Sequence, residues 1–173
     1  LAFLGNPWFA ACAGPRYTKA MKRVIGLAYR MQKWLWKLFQ PQTRGVKVLL
    51  FNGAGEVMLI RNSYGRSDLF VLPGGGVRPW EAPERAARRE ILEELGCLAD
   101  ALQPVSTHFS DAEGKRDTIH LFAARAEGTF VADSFEVEEA QFFPLEALPP
   151  NISRATLRRI EERTGKRMKD GTW

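Results

Sequence analysis

The sequence predicts one α+β domain, a mixed sheet with helices packed on its faces. Three observations lead there. A chain of 173 residues suits a single domain. From Val46 onward, short apolar runs alternate with turn signals, as half-buried strands do. Two segments with helical periodicity, one near residue 83 and one near residue 153, are interleaved with those runs. Apolar residues make up 45% of the chain and charged residues 26%, an ordinary globular balance that excludes a disordered, collagen-like or disulfide-stapled chain. The two cysteines, Cys12 and Cys97, lie too far apart in sequence to define a disulfide framework or a cysteine zinc site. A reducing, cytoplasmic setting is therefore expected. No run of eighteen apolar residues occurs, so no membrane-spanning helix is expected.

Each element has its own signal. Residues 1–20 begin with Leu1, and Met21 opens a patterned segment, so 1–20 are expected to be a poorly ordered extension. The small-residue run Ala10–Gly14 looks like a signal-peptide end, but Gly5, Asn6 and Pro7 interrupt the apolar stretch and no basic residue precedes it. Residues 21–40 read as a basic amphipathic helix. Val24, Leu27, Met31, Trp34, Leu35 and Leu38 recur at helical intervals, with Lys22, Arg23, Arg30, Lys33 and Lys37 opposite them. Packing of this helix on its own domain, or on a second copy in a homodimer, is favoured over peripheral contact with an anionic membrane. Pro41 ends it.

A domain is then expected over 41–165. Val46–Phe51 and Val57–Ile60 flank the Asn52-Gly53 turn signal as a hairpin. Leu69–Leu72 reads as a short third strand, stopped by Pro73-Gly74-Gly75-Gly76. Residues 83–95 read as a helix, with Pro83 in the first turn and Gly96 closing it. Strands follow near 102–109, 118–126 and 136–143, and a last helix runs from Asn151 or Ser153 through Arg163 to Gly165. Residues 166–173 are left as a tail. His108 and His120, both in strands and without ligand-spaced partners, read as structural; Phe142 and Phe143 read as core.

The net charge of +5 is unevenly distributed. Residues 1–55 hold nine Lys or Arg and no acid. Residues 56–150 hold seventeen acids against nine bases, and 151–173 hold seven bases against three acids. An acidic centre between basic ends argues against a nucleic-acid surface and suits a centre that gathers cations.

The acids concentrate in GGGVRPWEAPERAARREILEELGC, residues 74–97. A helix here sets Glu90, Glu93 and Glu94 on one face, where their like charges repel unless something positive balances them. Hard divalent cations take oxygen ligands of this kind. The alternative is a solvated acidic face paired with Arg85, Arg88 and Arg89, which composition alone favours. The spacing shifts the balance. Gly75 is followed after five residues by Glu81, after seven more by Arg89-Glu90-Ile91, and then by Glu93-Glu94 and Gly96. This resembles the Nudix hydrolase signature at every defined position except the last, where Cys97 replaces a large aliphatic residue. LPGGGV before the box and FFPLEALP near residue 145 extend the resemblance over about 45–150.

The resemblance implies a mixed, curved sheet between helices, an α/β/α sandwich in which the box forms a loop, a helix and a second loop. It also implies divalent-metal-dependent hydrolysis of a nucleoside diphosphate linked to another moiety, with Mg²⁺ or Mn²⁺ as cofactor and a small nucleotide as partner. Carried over by position, Glu90, Glu93 and Glu94 would hold metal, with Glu93 and Glu94 close to the chemistry and a backbone carbonyl near Gly75 completing the shell. Glu81, Arg89 and Gly96 would fix the loop geometry. Trp80 stands where many members carry Gly, a place from which it would alter the turn or line the substrate entrance. A fourth carboxylate often precedes an aromatic pair, and of Glu136, Glu138 and Glu139 ahead of Phe142-Phe143, Glu136 is the first candidate for the base and Glu138 the second. Strand alternation is expected to put Glu136 and Glu138 on one face and Glu139 on the other. Arg61 and Arg66 are candidate phosphate ligands. The marks of two subfamilies are missing, since Glu113, Gly114 and Lys115 stand where a Pro or a Tyr is common, which leaves nucleoside triphosphates and nucleotide sugars open as substrates. The competing readings are a nucleotide sensor without hydrolysis and an adaptor working through the basic first helix.

Overall fold

The computed structural model describes residues 42–63, 68–111, 116–128 and 136–173. The expected extension, the amphipathic helix over 21–40, Arg66 and the triplet Glu113–Lys115 lie outside the described residues. Five strands and two helices follow in the order β1 (Gln42–Phe51), β2 (Val57–Asn62), α1 (Pro83–Leu95), β3 (Leu98–Ser110), β4 (Arg116–Glu127), β5 (Val137–Phe143) and α2 (Arg154–Arg163). The sheet runs β3-β4-β1-β2-β5. It is mixed, because β1 pairs parallel to β4 while every other neighbouring pair is antiparallel.

Alternation along β1 explains how one sheet serves two layers. Val46, Val48 and Leu50 face a core closed by Ala86, Ala87, Ile91 and Leu95 of α1. Leu49 joins Leu59 and Leu121 on the other face, against Ile160 of α2. Cys97, buried in the α1 core, packs there as a small apolar side chain. Phe142 and Phe143 are partly buried, one against each core.

The hairpin turn works through Asn52, whose Oδ1 accepts from the N–H groups of Ala54 and Glu56, both at 3.0 Å. Helix α1 starts with Pro83 in its first turn and stops at Gly96, whose left-handed backbone (φ 65°) lets its N–H return to Leu92 O. Helix α2 starts at Ser153, whose side chain accepts from Thr156 N.

Two expectations need correction. Leu69–Leu72 is not a strand. Only isolated bridges form, Ile60 with Val71 and Phe70 with Ile152. Leu72 turns its N–H to Thr156 Oγ1 and its carbonyl to Lys47 Nζ, so no ladder continues. The alternation expected over 136–139 also fails. Glu136 precedes β5 in a turn, and the register moves from Arg61↔Glu139 to Asn62↔Val137. Glu138 is thus the extra residue of a bulge, which breaks the two-residue period.

The tail is structured as well. Phe109 N–H donates to Gly171 O (3.1 Å) and Trp173 N–H to Phe109 O (3.0 Å), so the last residues line the free edge of β3. Beneath them the fully buried Arg159 pairs with Glu162 at 2.8 Å and lies 5.6 Å from the Trp173 ring. His108 is buried against Arg159, with Ser106 Oγ 2.7 Å from its Nε2. Burial and then the Arg159 charge hold the imidazole pKa down to about 4. The unfolded chain therefore binds a proton between about pH 6.5 and 4 that the folded chain refuses. Stability should be full above pH 6.5 and fall as the pH drops toward 4, by up to about 3 kcal/mol from this group. In urea titrations across that range, His108→Gln should show a shallower acid loss than wild type; parallel curves would refute the assignment.

Candidate active site

The site grows out of an interruption in the sheet. Along its first half β1 borders the segment Pro73–Val77 on the side opposite β4. Val46 N–H donates to Gly75 O (2.9 Å), Val48 N–H to Pro73 O (3.0 Å) and Val77 N–H to Arg44 O (2.9 Å). This seating leaves no space for side chains at two positions. A Cβ on Gly74 would stand 2.4 Å from Val46 O, and its φ of 122° excludes other residues besides. A Cβ on Gly75 would stand 2.6 Å from Glu90 Oε2. The bare backbone is what lets α1 press its carboxylates onto the loop.

Glu90 and Glu94 are buried, 9% and 7% exposed, one helical turn apart. Glu94 Oε2 accepts from Gly74 N at 2.8 Å. Its pKa is pushed up to about 7, chiefly by burial; Lys47 and the Gly74 N–H oppose this, and the charges of Glu90 and Glu136 add to it. The structure therefore sets Glu136 within electrostatic reach of the box, although the residue itself is exposed. Glu93 points outward, its side chain half exposed, to Arg78 (3.2 Å) and Arg89 (3.0 Å).

Arg89 binds the box together. It donates to both oxygens of Glu81 (2.9 and 2.8 Å), to Glu90 Oε1 (2.7 Å), to Glu93 Oε2 and to Gly76 O (2.9 Å). These bonds drive the Glu81 pKa down to about 2 and hold the guanidinium charged above its ordinary value. Glu81 and Arg89 thus contact each other as one unit, and Gly96 ends the helix behind them.

The other candidates are placed as follows. Arg61 forms an ion pair with Glu139 at 2.9 Å. Trp80 is fully exposed beside Arg78 and Glu81. Gly75 has its carbonyl engaged by Val46. Two contributors escaped the sequence reading. Lys47 donates to Leu72 O (2.9 Å) and Gly74 O (2.5 Å), and its signal was a lone cation inside the apolar run Val46–Phe51. Arg78 reaches Glu93 from a loop with no distinguishing pattern.

Among the described residues, no three Asp, Glu, His or Cys side chains converge as a ready chelating set, because Glu93 is turned into the arginines. The donor chemistry nevertheless fits a hard cation. Glu90 and Glu94 offer only oxygen, are buried together and repel each other, and a divalent ion would relieve that repulsion.

A mixed sheet between two helices with this box is the architecture of the Nudix fold, and the NUDIX domain family model matches residues 41–165. The chain belongs to the Nudix family. It is 45% identical over 99 residues to a provisionally named 8-oxo-dGTP diphosphatase of Bacillus subtilis, covering 52% of this chain and 62% of that protein. It is 36% identical over 107 residues to an NAD-capped RNA hydrolase of Deinococcus radiodurans, covering 59% and 37%. The crystal structure of a MutT NUDIX hydrolase from Burkholderia pseudomallei superposes with a TM-score of 0.63 at 26% identity, covering 69% of this chain and 96% of that one. The chain spans less than two thirds of the length of these curated relatives.

Seating of the loop on β1 can be tested directly. Gly74→Ala should lose more than about 3 kcal/mol, because the methyl meets rigid backbone and the positive φ is strained. At Gly76 a Cβ meets nothing within 4 Å, so Gly76→Ala should stay within about 1 kcal/mol of wild type. Equal losses in chemical denaturation would contradict this seating.

Proposed function

We propose that the chain hydrolyses a diphosphate linkage in a nucleoside diphosphate derivative, such as a nucleoside triphosphate or a nucleotide sugar, with Mg²⁺, or Mn²⁺ in its place, as cofactor. The observation that carries this reading is the burial of two like charges, Glu90 and Glu94, against a loop whose glycines make room for them. Folding alone gains nothing from such a pair. The relatives support the reaction class, since one is named for an oxidised nucleoside triphosphate and another for a dinucleotide cap on RNA.

In this reading Glu90 and Glu94 would hold the cation, and Glu93, now paired with Arg78 and Arg89, would be the third carboxylate. The Gly75 carbonyl contributes through the lone pair that Val46 does not use. Held there, a divalent ion would supply charge neutralisation for the diphosphate and would lower the pKa of attacking water. Glu81, Arg89 and Gly96 keep the loop and helix in register. Glu136, in the turn ahead of β5 and within electrostatic reach of Glu94, would accept the proton from water, with Glu138 as the second candidate. Lys47 steadies the Gly74 carbonyl and offsets part of the acidic field. Arg61 would meet phosphate only by releasing Glu139, and Arg66 remains a second phosphate candidate. A cytoplasmic setting suits this chemistry, and no helix among the described residues is long and apolar enough to cross a membrane.

The test is product release from a panel of nucleoside triphosphates, oxidised nucleotides, dinucleotides and nucleotide sugars, with Mg²⁺ and after chelation. Turnover should require the metal. Glu93→Gln and Glu94→Gln should each cut it at least about 100-fold with the thermal midpoint nearly unchanged, because shape is kept and charge is lost. Glu136→Gln should lower the maximal rate more than Glu138→Gln. Turnover close to wild type in both box variants would make the box structural, and the reverse order at 136 and 138 would move the base.

A further inference from the structure

The turn ahead of α1 holds a tryptophan that folding does not explain. Arg78-Pro79-Trp80-Glu81 is closed twice, by Glu81 N–H donating to Arg78 O (3.1 Å) and by Arg78 N–H donating to Glu81 Oε2 (2.9 Å). Proline fixes a negative φ at the second position, and Trp80 has φ 65° at the third. That is the pattern of a type II turn, in which the third position favours Gly or Asn. A tryptophan there pays roughly 1–2 kcal/mol of backbone strain. It recovers nothing by packing, because the whole residue is exposed, at 102% of its reference area. Leu92 and Leu98 are also exposed, but neither has a positive φ and neither adjoins the turn.

The location supplies a reason. Both residues that close the turn touch the acidic box, Arg78 through Glu93 and Glu81 through Arg89. Trp80 therefore sits between two residues that border the carboxylate cluster, on a loop tied down at both ends. Phosphates drawn to that cluster would carry their nucleoside past the rim. Stacking of a base on an aromatic face contributes about 1–3 kcal/mol and tolerates any base.

We propose that Trp80 is a specificity-determining residue, a stacking platform for the aromatic base of the nucleotide. This rests on the hydrolase reading for the place of the phosphates, and it predicts selection for substrates that carry a base over those that do not.

The experiment compares the full chain with Trp80→Gly and Trp80→Phe. Calorimetric titration with α,β-methylene-ATP, whose α,β bridge resists hydrolysis, is run beside titration with inorganic tripolyphosphate, both with Mg²⁺. Trp80→Gly should melt at or above the wild-type temperature, bind the nucleotide about 10-fold more weakly and bind tripolyphosphate unchanged. Trp80→Phe should keep most of the nucleotide affinity. In turnover, the same loss should fall on KM and leave kcat within about twofold. Equal nucleotide affinity in wild type and Trp80→Gly overturns the proposal. An equal loss for tripolyphosphate overturns it too, since the effect would then lie on phosphate. Failure of the wild type to bind the analogue also overturns it. If the wild type binds the analogue but hydrolyses no member of the panel, the hydrolase reading fails, while the ratio of dissociation constants still decides the role of Trp80.

Discussion

Crowding of like charge is the constraint that shapes this domain, and the guanidinium of Arg89 meets most of it. Arg89 has five N–H donors, and the structure uses each once: two on Glu81, one on Glu90, one on Glu93 and one on the Gly76 carbonyl. The planar fork fixes the angle between the loop before α1 and the helix itself. A lysine has three donors and no fork, so it leaves at least two of these acceptors unmet. Because the carboxylates are held from the side, Glu81 stays ionised and the helix tolerates acids at 90, 93 and 94 that would otherwise push the segment apart.

A second constraint acts through backbone. The first half of β1 borders the glycine segment rather than β2, so main-chain bonds that would close a sheet instead fasten a loop. Lys47 adds to this from within the strand, with its ammonium on the Leu72 and Gly74 carbonyls. The loop cannot drift away from α1 without breaking hydrogen bonds to β1, and α1 cannot drift without exposing Ile91 and Leu95. Glu90 and Glu94 are buried as a consequence of packing elsewhere.

Much of this was legible in the residues, for identifiable reasons. Helix α1 and its limits follow from Pro83, the apolar spacing of Ala87, Ile91 and Leu95, and Gly96. The β1–β2 hairpin follows from Asn52, whose side chain makes the turn. Strand patterns fail where tertiary partners take over. Leu69–Leu72 has the composition of a strand, yet Thr156 and Lys47 claim the backbone groups of Leu72. Glu138 breaks the alternation because a bulge is a property of the pairing with β2, which the local sequence does not encode. The order of the last residues along β3 depends on Trp173 meeting His108 and Arg159 across a long separation. The box was readable because its spacing reflects one rigid contact network; Arg61 and Glu139 were not, because their pairing links two strands far apart in sequence.

The contacts also divide the carboxylates by how well their charge is met. Glu81 and Glu93 each face a guanidinium, and Glu90 shares one. All five donors of Arg89 are committed elsewhere, so Glu94 receives none of them. It has a backbone N–H and a lysine that is itself bonded to carbonyls, and it is the box carboxylate whose pKa rises. Ionised, Glu94 is the box carboxylate with most to gain from a cation, and its neighbours Glu90 and Glu136 make the same point of space more negative. A positive ion placed there would meet the charge of both Glu90 and Glu94, whereas one placed at Glu93 would displace arginines that already serve it. The asymmetry lies in the folded chain itself: the outer carboxylates fix the loop with arginines, and Glu94 is met beside Gly74 by a backbone N–H and the charge of Lys47, with no arginine of its own.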